Sequence, residues 1–164
     1  MSDYMALMTD FLNTATPEEW VFVATGTNYD DKELLSWMIE QPECPAAAAK
    51  AIYWYLGPGY FTKYTADTVS RWQKNSFEML RQIEANIARD FYRRSDIGFN
   101  PQSDGLGGEN WVRAYPIASE GNQIPQEMMQ PTPGRMLTRA DVPEGWDDGM
   151  PPHIVQAIWK EEGL

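Results

Sequence analysis

Four tryptophans recur at a nearly constant interval through the first part of the chain. Trp20, Trp37 and Trp54 are 17 residues apart, and Trp72 follows 18 residues later. Each lies in a segment whose apolar residues repeat at helical spacing, and glycine or proline separates the segments. Two such helices form a unit of about 34 residues, the length of a helical-hairpin repeat. The spacing predicts stacked antiparallel helical hairpins; the alternative is that four core tryptophans fall at this interval by chance.

Local signals predict where these helices begin and end. Thr16, Pro17 and Glu19 form the pattern of a capping box with proline in the first turn, so a helix is expected to follow them. The alanines after Pro45 would let a neighbouring backbone come close to the helix that they begin. The first four predicted helices cover residues 2–13, residues 17–26, a segment that Asp30 or Asp31 caps and Pro42 ends, and residues 45–56, before the break at Gly57-Pro58-Gly59.

A fifth, longer helix is predicted over residues 66–94, with Thr65 as its N-cap. Its apolar stripe consists of Val69, Trp72, Ser76, Leu80, Ile83, Ile87 and Phe91. Its basic residues fall near the opposite side and are Arg71, Lys74, Arg81, Arg89 and Arg93. With Glu78 among them, they favour a solvated face with ion pairs one helical turn apart. A basic docking face is the alternative.

The character of the chain changes after Ser95. Residues 96–151 hold most of the glycines and prolines, which forbid long elements there. This segment is predicted to be an ordered irregular wrap, since a disordered linker would carry fewer aromatic residues. The residues expected to hold it are Phe99, Trp111, Tyr115, Ile117 and Trp146, with a helical turn within 124–129. Residues 152–164 are predicted to form a closing helix with Ile154, Val155, Ile158 and Trp159 facing inward.

Together these patterns predict an all-α fold in a single domain over residues 1–164. Residues 1–95 would be the helical core. Since the chain has 164 residues and 13% aromatic content, it is long and apolar enough to bury a sizeable core. No apolar run approaches the length that spans a bilayer, and the N-terminus lacks the basic and apolar regions of a signal peptide. With one cysteine and so no intrachain disulfide, the chain is expected in the cytoplasm.

The composition argues against most catalytic chemistry. One histidine and one cysteine are too few for a zinc site of the usual kind, and neither phosphate-loop fingerprint is present. His153 would have to serve any catalytic triad, and a surface or capping role is the more common one for such a histidine. Cys44 has no second cysteine or nearby histidine to activate it, which favours a buried structural thiol. We therefore expect no cofactor, no metal and no enzymatic activity.

The charge of the chain is strongly negative and uneven. The net charge is −11, of which residues 1–45 contribute −8 and residues 141–164 contribute −5, while the middle is slightly positive. Such a chain repels nucleic acid and anionic lipid and attracts basic proteins. The alternative is that the acidity only keeps the protein soluble.

A partner-binding surface is predicted where acidic and aromatic residues occur together. The loop Glu144-Gly145-Trp146-Asp147-Asp148-Gly149 places an aromatic ring between acids. The residues expected to form the surface are Tyr29, Asp30, Asp31, Glu33, Trp146, Asp147 and Asp148, with the two aromatic residues as anchors and the acids as steering charges. Two alternatives remain open: Trp146 folds back onto the core, or the basic residues Arg71, Lys74 and Arg81 form the surface instead.

Several short motifs resemble one known family. The motifs are Asn28-Tyr29-Asp30-Asp31, Leu35-Ser36-Trp37-Met38-Ile39, Gln41-Pro42-Glu43-Cys44 and Ala49-Lys50-Ala51-Ile52-Tyr53-Trp54, and later Phe99-Asn100-Pro101, Trp111, Tyr115 and Ile124-Pro125 with Met128. Over residues 18–130 the chain is similar to the bacterial family known as domain of unknown function 4274. It departs from the family pattern at Pro45 and at Ala46 to Ala48. The resemblance implies a helical fold, a bacterial origin and a cytosolic location, and it supplies no catalytic residue.

Three functions are consistent with these features, and we rank them. The leading hypothesis is a bacterial immunity protein that binds and neutralises a toxin, because small acidic inhibitors bind basic enzymes through steering carboxylates and aromatic anchors. The second is a structural or scaffold subunit that self-associates through its aromatic surface, so a homo-oligomer is compatible with the sequence. The third is a small cofactor-free enzyme that uses carboxylates and tyrosines.

Overall fold

The computed structural model describes residues 3–114, 123–161 and 163, so Tyr115 and Ile117 lie outside the described residues. Within them the chain is mostly helical. The elements are α1 (Tyr4–Thr14), α2 (Pro17–Gly26), α3 (Glu33–Ile39), α4 (Ala46–Tyr55), α5 (Pro58–Phe61), α6 (Lys74–Ala88), β1 (Ile97–Gly98), α7 (Trp111–Ala114), α8 (Gln126–Met129), β2 (Arg135–Met136), a 3-10 turn (Arg139–Asp141) and α9 (Pro152–Glu161).

The capping box predicted before α2 is confirmed. The Thr16 hydroxyl oxygen accepts a hydrogen bond from the Glu19 backbone N–H at 3.2 Å, and the Glu19 carboxylate accepts one from the Thr16 N–H at 2.9 Å. Two of the N–H groups that lack a partner inside the helix are thereby satisfied. Pro17 occupies the first turn, as expected.

Helix α4 lies at the centre of the molecule. Its residues from Ala47 to Trp54 are all buried, and it packs against α2, α3, α6 and β1. The alanines let α2 approach closely, as the sequence predicted. Lys50 donates hydrogen bonds to the carbonyl oxygens of Glu127 at 3.0 Å and Gln130 at 2.8 Å, so α4 also holds the segment that contains α8.

The long helix predicted over residues 66–94 is shorter in the structure, since α6 begins at Lys74 and ends at Ala88. The predicted N-cap, Thr65, lies in a separate turn. There the Thr68 hydroxyl oxygen accepts a hydrogen bond from the Thr65 backbone N–H at 2.8 Å. Threonine side chains that bond to the nearby backbone compete with a helix, and their branching at Cβ lowers helix propensity further. The residues before Lys74 therefore form turns.

The prediction that all four periodic tryptophans lie in helices is wrong for Trp72, which lies in the turn before α6. Trp20 and Trp54 are buried, and Trp37 is half-buried with its ring stacked on that of Trp20 at 6.1 Å. Trp72 is 80% exposed, whereas the apolar stripe placed it in the core. The stacking of antiparallel hairpins stays a prediction.

The helical class is confirmed in its coarser form, a mainly helical chain, with one exception: β1 and β2 form a two-stranded parallel sheet. Close approach of two glycines makes the pairing possible. A Cβ atom added at Gly98 would lie 2.5 Å from the Thr132 carbonyl oxygen, and one at Gly134 would lie 2.6 Å from the Gly98 nitrogen. The described residues therefore form a mainly helical fold with a very small sheet, and the single domain over 1–164 stays a prediction.

The closing helix is confirmed as α9, which packs against α1. Ile154, Val155 and Ile158 are buried as predicted, but Trp159 is 46% exposed. Successive residues of a helix point about 100° apart. Trp159 therefore lies at the edge of the stripe that the three buried residues define.

Candidate partner-binding surface

Two exposed aromatic residues, Tyr60 and Trp72, line an open groove of about 500 Å³. We call it the aromatic groove. It lies between the end of α4, helix α5, the start of α6 and the loop that precedes α3. Its lining residues are Tyr29, Lys32, Tyr55, Leu56, Gly57, Tyr60, Phe61, Trp72, Gln73 and Ser76. The volume lies within the usual range for small-molecule sites, and aromatic lining is common to such sites and to protein interfaces.

Two of these rings are exposed far more than large aromatic side chains usually are. Trp72 is 80% exposed, and Tyr60 is 47% exposed. A cation lies over each ring: the Arg71 guanidinium carbon is 4.5 Å from the Trp72 ring centroid, and Lys63 Nζ is 4.9 Å from that of Tyr60. The rim of the groove therefore combines aromatic rings with positive charges.

The buried carboxylate of Asp104 supports the floor of the groove, below these exposed rings. Asp104 accepts hydrogen bonds from the Tyr55 hydroxyl at 2.7 Å and from the Trp111 indole N–H at 3.0 Å. Tyr29 donates its hydroxyl to the Ala24 carbonyl oxygen at 2.6 Å, and its ring lies 5.8 Å from that of Tyr55. Because both hydroxyls are bonded to groups of the protein, the two rings present mainly apolar surface to the groove.

The same groups alter the acidity of the two tyrosines. Burial raises the pKa of Tyr29 well above its ordinary value, and the neighbouring Tyr55 and Asp104 raise it further. Burial also raises the pKa of Tyr55, with the hydrogen bond to Asp104 as the second cause. Both side chains therefore stay neutral near pH 7, and neither has the lowered pKa that would let it act as a base.

The loop of residues 28–33, which ends at the first residue of α3, also lines a second cavity of about 280 Å³, which we call the acidic cavity. Tyr29 and Lys32 of this loop line the aromatic groove, and Asn28 and Asp31 line the acidic cavity. Its lining residues are Tyr4, Thr27, Asn28, Asp31, Leu34, Asp148, Met150 and Ile158. Burial raises the pKa of Tyr4, and the carboxylates of Asp31 and Asp148 raise it further. Two of the acids predicted for the partner-binding surface thus lie near the same tyrosine.

A tight turn positions Asp148 in this cavity. Asp147 and Met150 exchange backbone hydrogen bonds of 3.1 and 2.8 Å, and between them Asp148 and Gly149 have φ values of 49° and 72°. Asp and Gly are the residues that adopt this left-handed conformation most readily. A Cβ atom on Gly149 would lie 2.7 Å from the Thr27 nitrogen, so glycine lets the turn pack against the start of the loop.

The remaining predicted surface residues differ in where they lie. Asp30, Glu33 and Asp147 are exposed, and Asp31 supports α3 because its carboxylate accepts a hydrogen bond from the Glu33 N–H at 3.1 Å. Trp146 is half-buried and packs edge-on against Phe11 and Phe22, with ring centroids 5.9 and 5.7 Å away. Its ring thus folds back onto the core, which was the alternative that the sequence left open.

Sequence reasoning missed Trp72 and Tyr60 as surface residues. Trp72 fell on an apolar stripe at helical spacing and was assigned to the core. A usable signal lay in the preceding residues, where Thr65 and Thr68 favour a turn over a helix. Tyr60 follows Gly57-Pro58-Gly59, which marks a break between helices, and exposed side chains are common at such breaks.

The groups considered for catalysis lie elsewhere. Cys44 is fully buried, and burial raises the pKa of its thiol strongly, although Arg93 lowers it in part. His153 is exposed on α9, with its ring 5.8 Å from that of Phe11. In the part of the chain that the structure describes, no group of three or more His, Cys, Asp or Glu residues is placed to hold a metal ion. None of the helices described there is long and apolar enough to cross a membrane.

Comparison with known proteins identifies one family. The model of a domain of unknown function (DUF4274) matches residues 15–88. The chain matches no curated protein sequence and no solved structure. Every residue that lines the aromatic groove lies within the matched range, whereas Tyr4, Asp148, Met150 and Ile158 of the acidic cavity lie outside it. The resemblance inferred over residues 18–130 is confirmed within residues 15–88, which are similar to the DUF4274 family; the later motifs, from Phe99 onward, lie outside the match.

Proposed function

We propose that this chain is a protein-binding module, and specifically a bacterial cytoplasmic immunity protein that binds and neutralises a toxin. One observation carries the proposal: the Trp72 ring is 80% exposed on the rim of an aromatic groove, next to Tyr60. Tryptophan and tyrosine dominate the binding energy of many protein interfaces, because burying one large rigid ring gains much area at little entropic cost.

The proposed surface uses different anchors from those that the sequence suggested and the same acids. Trp72 and Tyr60 replace Trp146, whose ring packs onto the core. Tyr29 remains part of the surface, because its ring lines the aromatic groove. Acids would lie at the periphery and speed the encounter with a basic partner. Asp31 and Asp148 line the acidic cavity, and the other acids are Asp30, Glu33 and Asp147.

The specific form of the proposal, a toxin inhibitor, rests on charge. A net charge of −11 accelerates association with a basic toxin or enzyme domain and disfavours nucleic acid as the partner. Blocking a basic enzyme requires only a complementary surface and no catalytic group. The remote acidic segments at the two chain ends, with −8 and −5, add to the long-range attraction.

Self-association through the same rings is the second candidate function. Trp72 and Tyr60 would then contact a second copy of the chain, and the protein would act as a structural or scaffold subunit. Repulsion between two chains of charge −11 opposes this association. Sedimentation of the wild-type protein and of Trp72→Ala distinguishes the two candidates. Self-association predicts a wild-type oligomer that the variant lacks, whereas the immunity function predicts the same mass for both proteins.

The test of the proposed function compares two exposed tryptophans. Wild-type protein, Trp72→Ala and Trp159→Ala are immobilised and exposed to extracts of the source cell, and retained proteins are identified by mass spectrometry. Trp159 is the matched control, because it is also exposed but lies on α9, away from the aromatic groove. We expect a basic protein to be retained by the wild type and by Trp159→Ala and to be lost from Trp72→Ala.

A second step tests neutralisation. The retained protein is expressed alone and together with the wild-type protein or either variant in a heterologous host. Growth arrest that the wild type and Trp159→Ala relieve, and Trp72→Ala does not, is the expected result. A retained protein that is harmless when expressed alone contradicts the immunity function. Equal retention by the wild type and both variants contradicts the binding surface.

A further inference from the structure

We infer that the aromatic groove accepts a partner segment in which a bulky apolar side chain is flanked by carboxylates. This inference rests on the proposed function and specifies what the partner presents at the groove. It follows from three features: the local charge of the groove, the position of the cations on its rim, and the apolar character of its floor.

The local charge is opposite in sign to that of the whole chain. Between Leu56 and Phe77, the stretch that contributes most of the groove, the bases are Lys63, Arg71 and Lys74, and the single acid is Asp67. Lys32 adds a further base from the other wall. A ligand at this site therefore meets an excess of positive charge, although the protein carries −11 overall.

Two of these cations lie over aromatic rings that line the groove. Lys63 Nζ lies 4.9 Å from the Tyr60 ring centroid and 5.4 Å from that of Tyr64, and the Arg71 guanidinium lies 4.5 Å from the Trp72 ring. Among the described residues, neither of these bases nor Lys32 forms an ion pair with a carboxylate. The rings hold the cations at the rim and leave their hydrogen-bond donors available, so carboxylates of a partner would complete the pairs.

The floor requires an apolar group as well. The hydroxyls of Tyr29 and Tyr55 point to Ala24 and Asp104, so their rings form a largely apolar surface beside Phe61. A large aliphatic or aromatic side chain would be desolvated there, with the charged groups at its edges. This arrangement of an apolar centre and a polar rim is typical of protein interfaces.

A single-stranded nucleic acid also combines planar rings with negative charge, and aromatic rings with cations bind such strands in other proteins. The surroundings of this groove disfavour it. Asp30, Asp31 and Glu33 lie on the adjoining loop, and a phosphate chain that leaves the groove would meet them and a net charge of −11. A protein segment avoids this repulsion, because its carboxylates are confined to the part that enters the groove.

The two surfaces beside the loop of residues 28–33 would then attract opposite charges on the partner. On one side of the loop of residues 28–33, a carboxylate-bearing segment of the partner would meet Lys32, Lys63 and Arg71. On the other side, basic residues of the same partner would meet Asp31 and Asp148. Opposite charges on the two sides allow one orientation of the partner and penalise the reversed one.

The experiment selects displayed random peptides on the full-length wild-type protein and removes those that also bind Trp72→Ala. We expect the remaining peptides to share a large apolar residue with Asp or Glu beside it. A synthetic peptide of the shared sequence is then compared with a peptide in which Asn replaces Asp and Gln replaces Glu. The neutral peptide should bind about tenfold more weakly, which corresponds to a loss of about 1.4 kcal/mol from the charged contacts.

Two charge variants locate the effect. Lys63→Gln with Arg71→Gln should lower the affinity for the acidic peptide by about tenfold. The control, Arg94→Gln with Lys160→Gln, changes the net charge equally at exposed residues that do not line the groove, and it should change binding less than twofold. Equal losses in both variants would attribute the effect to net charge and overturn the inference.

Other outcomes also separate this inference from the proposed function. Selected peptides that depend on Trp72 but lack acidic residues overturn the inference and leave the binding surface intact. An oligothymidylate that displaces the peptide and binds more tightly overturns it in favour of nucleic acid. If no selected peptide depends on Trp72, the groove is not the docking site for such a segment, and the capture experiment with the whole partner decides the proposed function independently.

Discussion

The aromatic groove and the acidic cavity lie on the two sides of one short loop, and they differ in almost every physical respect. Trp72 and Tyr60 form the rim of the groove with cations over their rings. Asp31 and Asp148 line the acidic cavity near the half-buried ring of Tyr4. The groove is formed by residues within the matched DUF4274 region, whereas the cavity also requires residues from both ends of the chain.

This difference shows that net charge is a poor guide to a single surface of the molecule. The net charge of −11 comes mainly from the two ends of the chain, whereas between Leu56 and Phe77 the bases outnumber the acids. Long-range attraction depends on the summed charge, while the contact itself depends on the groups within a few ångströms. A partner can therefore be basic overall and still present carboxylates to the groove.

The sharpest contrast is between two tryptophans, and it predicts the largest effect. Trp146→Ala should lower the free energy of unfolding by about 2–4 kcal/mol, because the half-buried ring packs against Phe11 and Phe22. Trp72→Ala should leave it within about 0.5 kcal/mol of the wild type, since the ring is 80% exposed. Urea unfolding followed by circular dichroism measures both. Similar losses in the two variants would mean that Trp72 belongs to the core.

Those features of the fold that neighbouring residues determine could be predicted from the sequence. The capping box of Thr16 and Glu19 and the start of α4 after Pro45 were predicted correctly, because their signals lie within a few residues of the helix ends. The start of α6 was not predicted correctly. An apolar stripe favoured an earlier start, the threonines favoured turns, and sequence spacing alone does not decide between two such preferences.

The candidate site was less accessible to prediction. Its aromatic groove combines Tyr29, Tyr55 and Trp72, which belong to a loop, a helix end and a turn, so it exists only through long-range packing. The proximity of Asp31 and Asp148 was proposed from charge, and both residues do line one cavity. The conformation of Trp146 was left open, because an aromatic residue between acids is compatible with either an exposed or a packed ring.

The floor and the rim of the groove should respond differently to loss of a hydroxyl. Tyr55→Phe removes the donor that lies 2.7 Å from the buried Asp104 carboxylate, and we expect it to cost about 1–3 kcal/mol of unfolding free energy. Tyr60→Phe, at an exposed ring on the rim, should cost less than about 0.5 kcal/mol. Thermal or urea unfolding of the two variants tests this difference. An unaffected Tyr55→Phe would show that Asp104 is held by its other donors alone.

The acidic cavity should influence the rate of encounter more than the lifetime of the complex. Asp31→Asn with Asp148→Asn should lower the association rate constant for the captured partner by roughly threefold to tenfold at low salt, and by less at high salt. The control, Glu40→Gln with Glu109→Gln, removes the same charge from exposed residues that line neither surface, and its effect should be smaller. A change confined to the dissociation rate would instead place the two carboxylates in the contact itself.

The smallest expected effect concerns the acidity of Tyr4. Burial raises its pKa above the ordinary value of about 10, and Asp31 and Asp148 raise it further because a phenolate near carboxylates is disfavoured. Replacing both acids by Asn should therefore lower the pKa of Tyr4, while burial keeps it above that of a free tyrosine.

The sign of the stability change follows from linkage. A tyrosine whose pKa is raised in the folded state contributes stability that is lost as the pH rises above about 10, because the unfolded chain releases its proton first. The Asn variant should lose less stability over this alkaline range than the wild type. NMR titration of selectively labelled tyrosine, with Tyr4→Phe to assign the resonance, measures the pKa directly. If the pKa of Tyr4 is the same in the variant and the wild type, the two carboxylates do not act on its ring, and the acidic cavity is not one electrostatic unit.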